Sequence, residues 1–310
     1  MRDEGGKTKL SSRRSRCLRG TASALLFVTS SLAFAGTGVS FLEIPVGARE
    51  SALGGAGVAL VSGPSSAAHN PAAMAFAPRG VSLVHNRHFA DTRTLFIGFN
   101  ARRGRFAFTP NYWGTRTGDI EYRTAPTSAP ISTFDAVNWS VGGTVAADVG
   151  RNLAVGIGLR YLLQKIHVEE SSGWSVDAGV LAHKVWQGLS VGVALQHAGS
   201  MSRFASESPK LPTTLRGGAA YEHDLGKAGV VMAVAEAQAV RDNTPQFKGG
   251  IEYRAPEYAA LRIGWVEGLE AQNVSFGLGL FIGHFRLDYA FIPYRENLGE
   301  GHRFALNFDI

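Results

Sequence analysis

From about residue 80 to residue 310 the chain alternates large apolar residues with small or polar ones, in stretches of roughly ten, joined by short turns. The clearest stretch sets Leu153, Val155, Ile157, Leu159, Tyr161 and Leu163 against Ala154, Gly156, Gly158, Arg160, Leu162 and Gln164. Side chains of a strand point alternately to its two faces, so each such segment has one greasy face and one small or polar face. Fourteen candidate strands follow, at 81–88, 93–101, 105–113, 137–147, 152–168, 174–186, 189–197, 213–224, 229–241, 246–254, 259–266, 273–283, 285–294 and 302–310. Most have the ~9–11 residues that a tilted strand needs to cross a bilayer, and an even count suits a bacterial single-chain barrel. The pattern predicts an all-β fold, a transmembrane antiparallel β-barrel of about 14 strands whose oily face meets lipid.

The connections alternate in length. Short links fall at 102–104, 148–151, 187–188, 225–227, 255–257 and 283–284, and longer ones at 114–136, 169–173, 198–212, 267–272 and 295–301, with 242–245 a tight exception. Barrels of the outer membrane have short periplasmic turns and longer outer loops. That assigns the short set, and both barrel ends of the chain, to the periplasm. Trp174 and Trp186 share a face with Val176, Ala178, Val180 and Ala182, a spacing suited to two aromatic girdles, with Lys184 on that face able to snorkel. Phe304, Leu306, Phe308 and Ile310 share one face of the last strand, which resembles the terminal signal read by barrel-insertion machinery. Pro110 predicts a bulge, because it removes a ladder hydrogen bond. Glu236 on the greasy side of 229–241 predicts a register change. The alternating piece Asp119 to Arg123 predicts a hairpin extended above the membrane.

Residues 1–35 read as a secretory signal peptide. Arg13, Arg14, Arg16 and Arg19 form a basic region, 21–34 is short and apolar, and Ala33-Phe34-Ala35 resembles a cleavage site. This leader holds seven Lys/Arg and two Asp/Glu, which is +5 of the formal +6, so the remainder is nearly neutral and nucleic-acid binding gains little support. The one cysteine, Cys17, lies in the leader and leaves no disulfide or cysteine metal site for the mature chain. Glycine is 38 of 310 residues, and no apolar run after the leader is long enough for a spanning helix.

Residues 36–79 form a small-residue-rich segment of another kind, suited to packing inside a barrel as a plug. Pro71 is placed to open a short helix capped by Asn70. The blocks Gly47-Ala48-Arg49 with Gly54-Gly55-Ala56, then Asn70-Pro71-Ala72 with Met74, resemble the start of the PorV/PorQ family of outer-membrane proteins, a branch of the FadL-like superfamily. The end, Asp288 to Pro293 followed by Gly301 to Phe304, resembles that family's closing hairpin, and Leu53 departs from the family's Met. The resemblance implies a fourteen-stranded barrel with an N-terminal segment in its lumen, and marks Arg49, Gly54, Gly55, Asn70 and Pro71 as plug or gate candidates.

Catalytic chemistry finds no foothold. His85 and His88 face opposite ways on a strand, Gly156-Ile157-Gly158 lacks the third glycine of a nucleotide fingerprint, and no nucleophile elbow or P-loop occurs. No enzyme activity, cofactor or metal is expected. Charges on the inner face (Arg160, Arg216, Lys248, Glu252, Arg254, Arg262, Arg286 and Asp288) read as a polar lumen wall, with Glu252–Arg254 and Arg286–Asp288 as same-face pairs.

The chain is therefore expected in the bacterial outer membrane, with membrane lipid as a partner. Two roles compete. One is PorV/PorQ-type support of protein secretion or surface attachment, with secretion-system proteins or secreted cargo as partners. The other is FadL-like transport of hydrophobic small molecules such as fatty acids or hydrocarbons. A secreted soluble β-sandwich is the alternative of a different class.

Overall fold

The computed structural model describes residues 38–123, 130–203, 208–256 and 258–310. The expected signal peptide, residues 1–35, lies outside them. Fourteen strands form: β1 (Gly80–Arg87), β2 (Thr92–Arg103), β3 (Phe106–Tyr122), β4 (Ser132–Gly150), β5 (Leu153–Ile166), β6 (Glu169–Trp186), β7 (Leu189–Met201), β8 (Thr214–Asp224), β9 (Val230–Val240), β10 (Gln246–Arg254), β11 (Ala259–Glu267), β12 (Val274–Ile282), β13 (Phe285–Pro293) and β14 (Glu300–Asp309). Each pairs antiparallel with its sequence neighbours, and β1 pairs with β14 from Gly80↔Asp309 to Arg87↔His302, so the sheet closes. Closure leaves no free strand edge, the condition for a sheet to span lipid.

The faces divide as the alternation requires. On β5 the outward Val155, Ile157, Leu159 and Tyr161 are exposed, while Ala154, Gly156, Gly158 and Arg160 are buried. The same exposed belt continues through Leu95, Ile97 and Phe99 on β2, Leu261 and Ile263 on β11, and Phe304, Leu306 and Phe308 on β14. Trp174 and Trp186 are both outward and exposed. A soluble sandwich would bury these side chains between two sheets; here one closed sheet turns them outward, so that reading is set aside. The chain folds as a transmembrane β-barrel.

Several local expectations are corrected. Pro110 makes no bulge: Gly98↔Asn111 and Ala101↔Phe108 keep one register on either side of it. Pro110 faces outward, and Thr109 Oγ1 donates to Asn100 Oδ1 at 2.8 Å in the gap of the ladder. β9 shows no register change around Glu236, because pairing to β8 runs unbroken from Val230 to Val240. Its inward face carries Met232, Val234, Glu236 and Gln238, and its outward face is Ala233, Ala235, Ala237 and Ala239. The bulkier residues point inward here, so residue size does not mark the lipid face of this strand. Lys184 also departs from expectation. It has φ +49 in an irregular stretch between Ala182 and Trp186, and its Nζ bonds Glu222 Oε1 at 2.7 Å instead of snorkelling outward. The extended hairpin does form, with Tyr122 pairing Ser132 beyond an irregularity between Thr117 and Ile120.

Residues 38–79 lie against the inner wall. They contain one short helix, α1 (Ala48–Ala52), and three 3-10 turns at Ser40–Glu43, Pro64–Ala68 and Pro71–Ala75. Asn70 caps the last of these through Ala72 N at 3.0 Å. Inward glycines allow the close approach: a Cβ on Gly156 would strike the backbone of Pro71 and Ala72. Between them, the segment and the wall bury Leu53, Val58, Leu60, Met74, Leu181, Met232 and Val234 in one apolar cluster.

The outward belt has a direct test. Ile157→Arg, at a 63% exposed position of β5, is expected to destabilise the barrel by about 2–4 kcal/mol in lipid. Val168→Arg, in the turn after β5, is expected to cost about 1 kcal/mol or less. Reversible unfolding in vesicles measures both, and equal effects would contradict a lipid-facing belt.

Candidate functional site

The lumen is organised by buried ion pairs, of which Arg49–Glu252 joins the N-terminal segment to the wall. Burying a charge is costly unless it is paired and hydrogen-bonded, so these groups fix geometry wherever they occur. Arg49 projects from α1 and grips Glu252 of β10 with both branches, Nε–Oε2 at 2.7 Å and Nη2–Oε1 at 2.8 Å. Its remaining nitrogen donates to Ser62 Oγ at 3.1 Å. Glu252 also accepts from Arg262 Nε at 2.6 Å and Arg254 Nη2 at 3.1 Å. Arg262 passes on to Asp288 at 2.9 Å, which holds Arg286 at 2.9 Å. Arg49, Glu252, Arg254, Arg262, Arg286 and Asp288 thus form one continuous network.

A second group forms around Arg216, which bonds Glu236 Oε1 at 3.1 Å and approaches His69 Nδ1 at 3.4 Å. The other oxygen of Glu236 accepts the backbone N–H groups of Gly57 and Val58 at 2.7 and 2.9 Å. Burial, reinforced by Arg216, pushes His69 down to about 3. The third group is on the opposite wall. Arg160 bonds Asp177 at 2.7 Å and lies 6.0 Å from the Trp113 ring centroid, and Asp177 also accepts His197 N at 2.8 Å.

Of the N-terminal candidates, Arg49, Gly54 and Asn70 make bonds to the wall. Asn70 Nδ2 donates to Val58 O at 2.8 Å within the segment and to Val180 O of β6 at 3.1 Å. Gly54 (φ +73) and Gly55 (φ +83) turn the chain at the end of α1. Gly54 N donates to Ser275 Oγ at 3.1 Å, and a Cβ there would meet the Trp265 carbonyl. Pro71 starts its turn beside Gly156 and Gly179. The sequence reading missed Glu50, Asp177, Glu236 and Arg303. Asp177 and Arg303 were available from strand parity, since each alternates with outward-facing neighbours.

Cavities border the N-terminal segment at both ends of the barrel. The largest, about 430 Å³, opens at the long-connection end between the N-terminal segment and the loops. Phe41, Ile44, Pro45, Phe89, Leu269 and Tyr294 supply much of its apolar wall, and His88 and Arg303 are among its polar groups. Burial beside Arg303 holds His88 well below the usual imidazole range, at about 3. A smaller pocket of about 70 Å³ shares Glu43, Pro45, Leu269, Gln272 and Arg303 with it, and adds Lys248. Arg303 donates to Pro45 O at 2.7 Å and Ser51 Oγ at 2.6 Å, while its Nε has no hydrogen-bond partner among the described residues. Lys248 bonds the neutral Gln238 side chain. Glu43 lines both pockets and is the acid that these two basic groups share there. At the short-turn end a third cavity of about 240 Å³ is bordered by Arg49, Leu60, Lys184, Glu222, Arg254 and Phe281. The segment lies between the two ends.

Glu252→Gln removes the carboxylate shared by Arg49 and Arg262 and is expected to cost about 3–5 kcal/mol. Amide exchange across residues 48–56 is expected to rise, whereas unchanged protection would mean that the pair does not hold the segment. His69 binds its proton more weakly folded (about 3) than unfolded (6.5), so its contribution is intact above 6.5 and lost as pH falls toward 3. His69→Gln is expected to flatten the acid side of the stability profile in that window, measured by unfolding in detergent at successive pH values.

No protein-family profile and no curated sequence matches the chain. Solved structures do. The chain is similar to the CymD monoaromatic hydrocarbon channel, with a TM-score of 0.61, 11% identity, and coverage of 89% of this chain and 99% of that one. It is similar to the Pseudomonas putida toluene transporter TodX, at TM-score 0.58 and 13% identity over 89% and 98% of the two chains. A Pseudomonas aeruginosa FadL homologue aligns at TM-score 0.51 and 11% identity, covering 89% and 99%. At these identities the likeness is one of fold alone, the closed fourteen-stranded barrel.

Proposed function

We propose that the protein carries hydrophobic or amphipathic small molecules across the bacterial outer membrane, with residues 38–79 acting as the gate. The observation that carries this reading is the 430 Å³ apolar vestibule seated on the N-terminal segment. A concave, largely apolar cavity with a few convergent polar groups is the usual form of a small-molecule site. Support comes from the fold shared with structures described as hydrocarbon and toluene channels. These findings favour transport over the PorV/PorQ reading of secretion support, which rests on the short N- and C-terminal sequence blocks alone.

The chemistry of the path is unequal along its length. A ligand entering from the long loops meets aromatic and aliphatic walls first. Its deeper end then reaches Arg303 and Lys248, two basic side chains that share this pocket with one carboxylate, Glu43. This arrangement favours a molecule with an apolar body and an anionic head, such as a fatty acid, over a bare hydrocarbon. Beyond lie Arg49 and Glu252, which must part or shift for passage to the cleft at the short-turn end. No step of this process makes or breaks a covalent bond, in keeping with a carrier role and not an enzymatic one.

Uptake by cells, or by vesicles holding the purified barrel, tests the proposal. Deleting residues 48–56 is expected to change flux strongly, and purified wild-type protein is expected to retain extractable lipid or hydrocarbon. Arg303→Gln with Lys248→Gln is expected to lower uptake of a fatty acid several-fold while sparing a neutral aromatic hydrocarbon. Recovery of a stable complex with other proteins, with no bound apolar molecule and no flux, would return the assignment to secretion support.

A further inference from the structure

The short-turn rim of the barrel is electrically lopsided. Arg79, just before β1, is joined by Arg102, Arg103 and Arg105 at the β2–β3 turn and Arg151 at the β4–β5 turn. These positions are adjacent around the barrel. Four of the five are exposed, and Arg102 is half-buried. None makes an ion pair among the described residues. The nearby acids are Asp148, whose Oδ1 accepts Gly150 N at 2.8 Å, and Asp309. The rest of the same rim differs: Lys184 is bonded to Glu222 at 2.7 Å, Arg254 is bonded to Glu252 at 3.1 Å, and Asp224 and Lys227 flank the β8–β9 link.

The arc is held in place. Arg79 donates through Nε and Nη2 to Arg102 O at 2.9 and 2.5 Å. Asp148 N donates to Arg105 O at 2.8 Å, tying the two turns together, and the Arg105 guanidinium reaches toward Gly150. Its depth is set by the belt. Arg103 follows Phe99 and Ala101 on the outward face of β2 and pairs with Phe106, which is outward and exposed. The arginines therefore begin where the apolar surface ends, at the level of lipid headgroups. Guanidinium groups bind phosphate through paired N–H donors and are more weakly hydrated than ammonium, so an all-arginine arc fits phosphate better than it fits bulk water.

We infer that this arc binds the phosphates of anionic glycerophospholipids in the leaflet around the short-turn end, and so fixes the depth and tilt of one side of the barrel. The inference rests on the transmembrane fold and is independent of what the lumen carries.

The full-length protein, folded into nanodiscs of phosphatidylcholine mixed with phosphatidylglycerol, provides the test. Lipid retained on the protein after transfer to mild detergent is measured by native mass spectrometry. Wild type is expected to be enriched in phosphatidylglycerol, and Arg103→Gln/Arg105→Gln/Arg151→Gln to lose that enrichment on the order of tenfold or more. Lys165→Gln/Lys227→Gln, which alters exposed cations outside the arc, is expected to leave it unchanged. Raising the salt during transfer is expected to reduce wild-type enrichment, a reading that needs no variant. Heat-modifiable gel mobility confirms that each variant is folded. Enrichment that survives the triple substitution, falls equally in the two-lysine variant, or ignores salt overturns the inference.

Discussion

The constraint on which everything else depends is hydrogen-bond saturation of the backbone across the seam between β1 and β14. Eight residue pairs, from Gly80↔Asp309 to Arg87↔His302, join the first strand to the last. Without them two rows of amide and carbonyl groups would face acyl chains, each unsatisfied group at a cost of several kcal/mol. With them, side chains are free to specialise. Outward positions need only be apolar, and inward positions need only match what fills the cylinder.

What fills it is the chain's own N-terminal segment. One side of the N-terminal segment packs Leu53, Val58, Leu60 and Met74 against inward Leu181, Met232 and Val234. Its other contacts are polar, and the strongest of them involve carboxylates. Arg49 and Glu252, and the backbone of Gly57 and Val58 with Glu236, hold the segment at two points on neighbouring strands. Apolar contacts supply area without direction, while bidentate and charge-assisted bonds specify position. The segment is thereby held in one placement with no covalent tie beyond its own continuation into β1.

Much of this was legible in the chain. The strand count and the outward face followed from a period of two, which survives because lipid demands apolar residues at every outward position. β9 resisted because both environments are apolar there: its alanines face outward, while Met232 and Val234 face an apolar segment that sequence alone does not place. Contrast between faces, not hydrophobicity itself, is what parity reads. Arg49 was singled out by family resemblance, but its partner lies 203 residues away, and no local pattern encodes such a pairing. Lys184 was lost for another reason: an irregularity between Ala182 and Trp186 breaks the parity from which its direction was read.

The position of the N-terminal segment constrains assembly. It is made before any strand, yet it ends surrounded by strands from both halves of the chain, with Pro71 against β5 and α1 against β11 to β14. A sealed cylinder offers it no sideways entrance. The segment therefore either enters through an open end of the cylinder or is enclosed as the seam between β1 and β14 closes. Once the seam is closed, topology alone forbids lateral escape, and the segment's only freedom is to slide or fold along the axis.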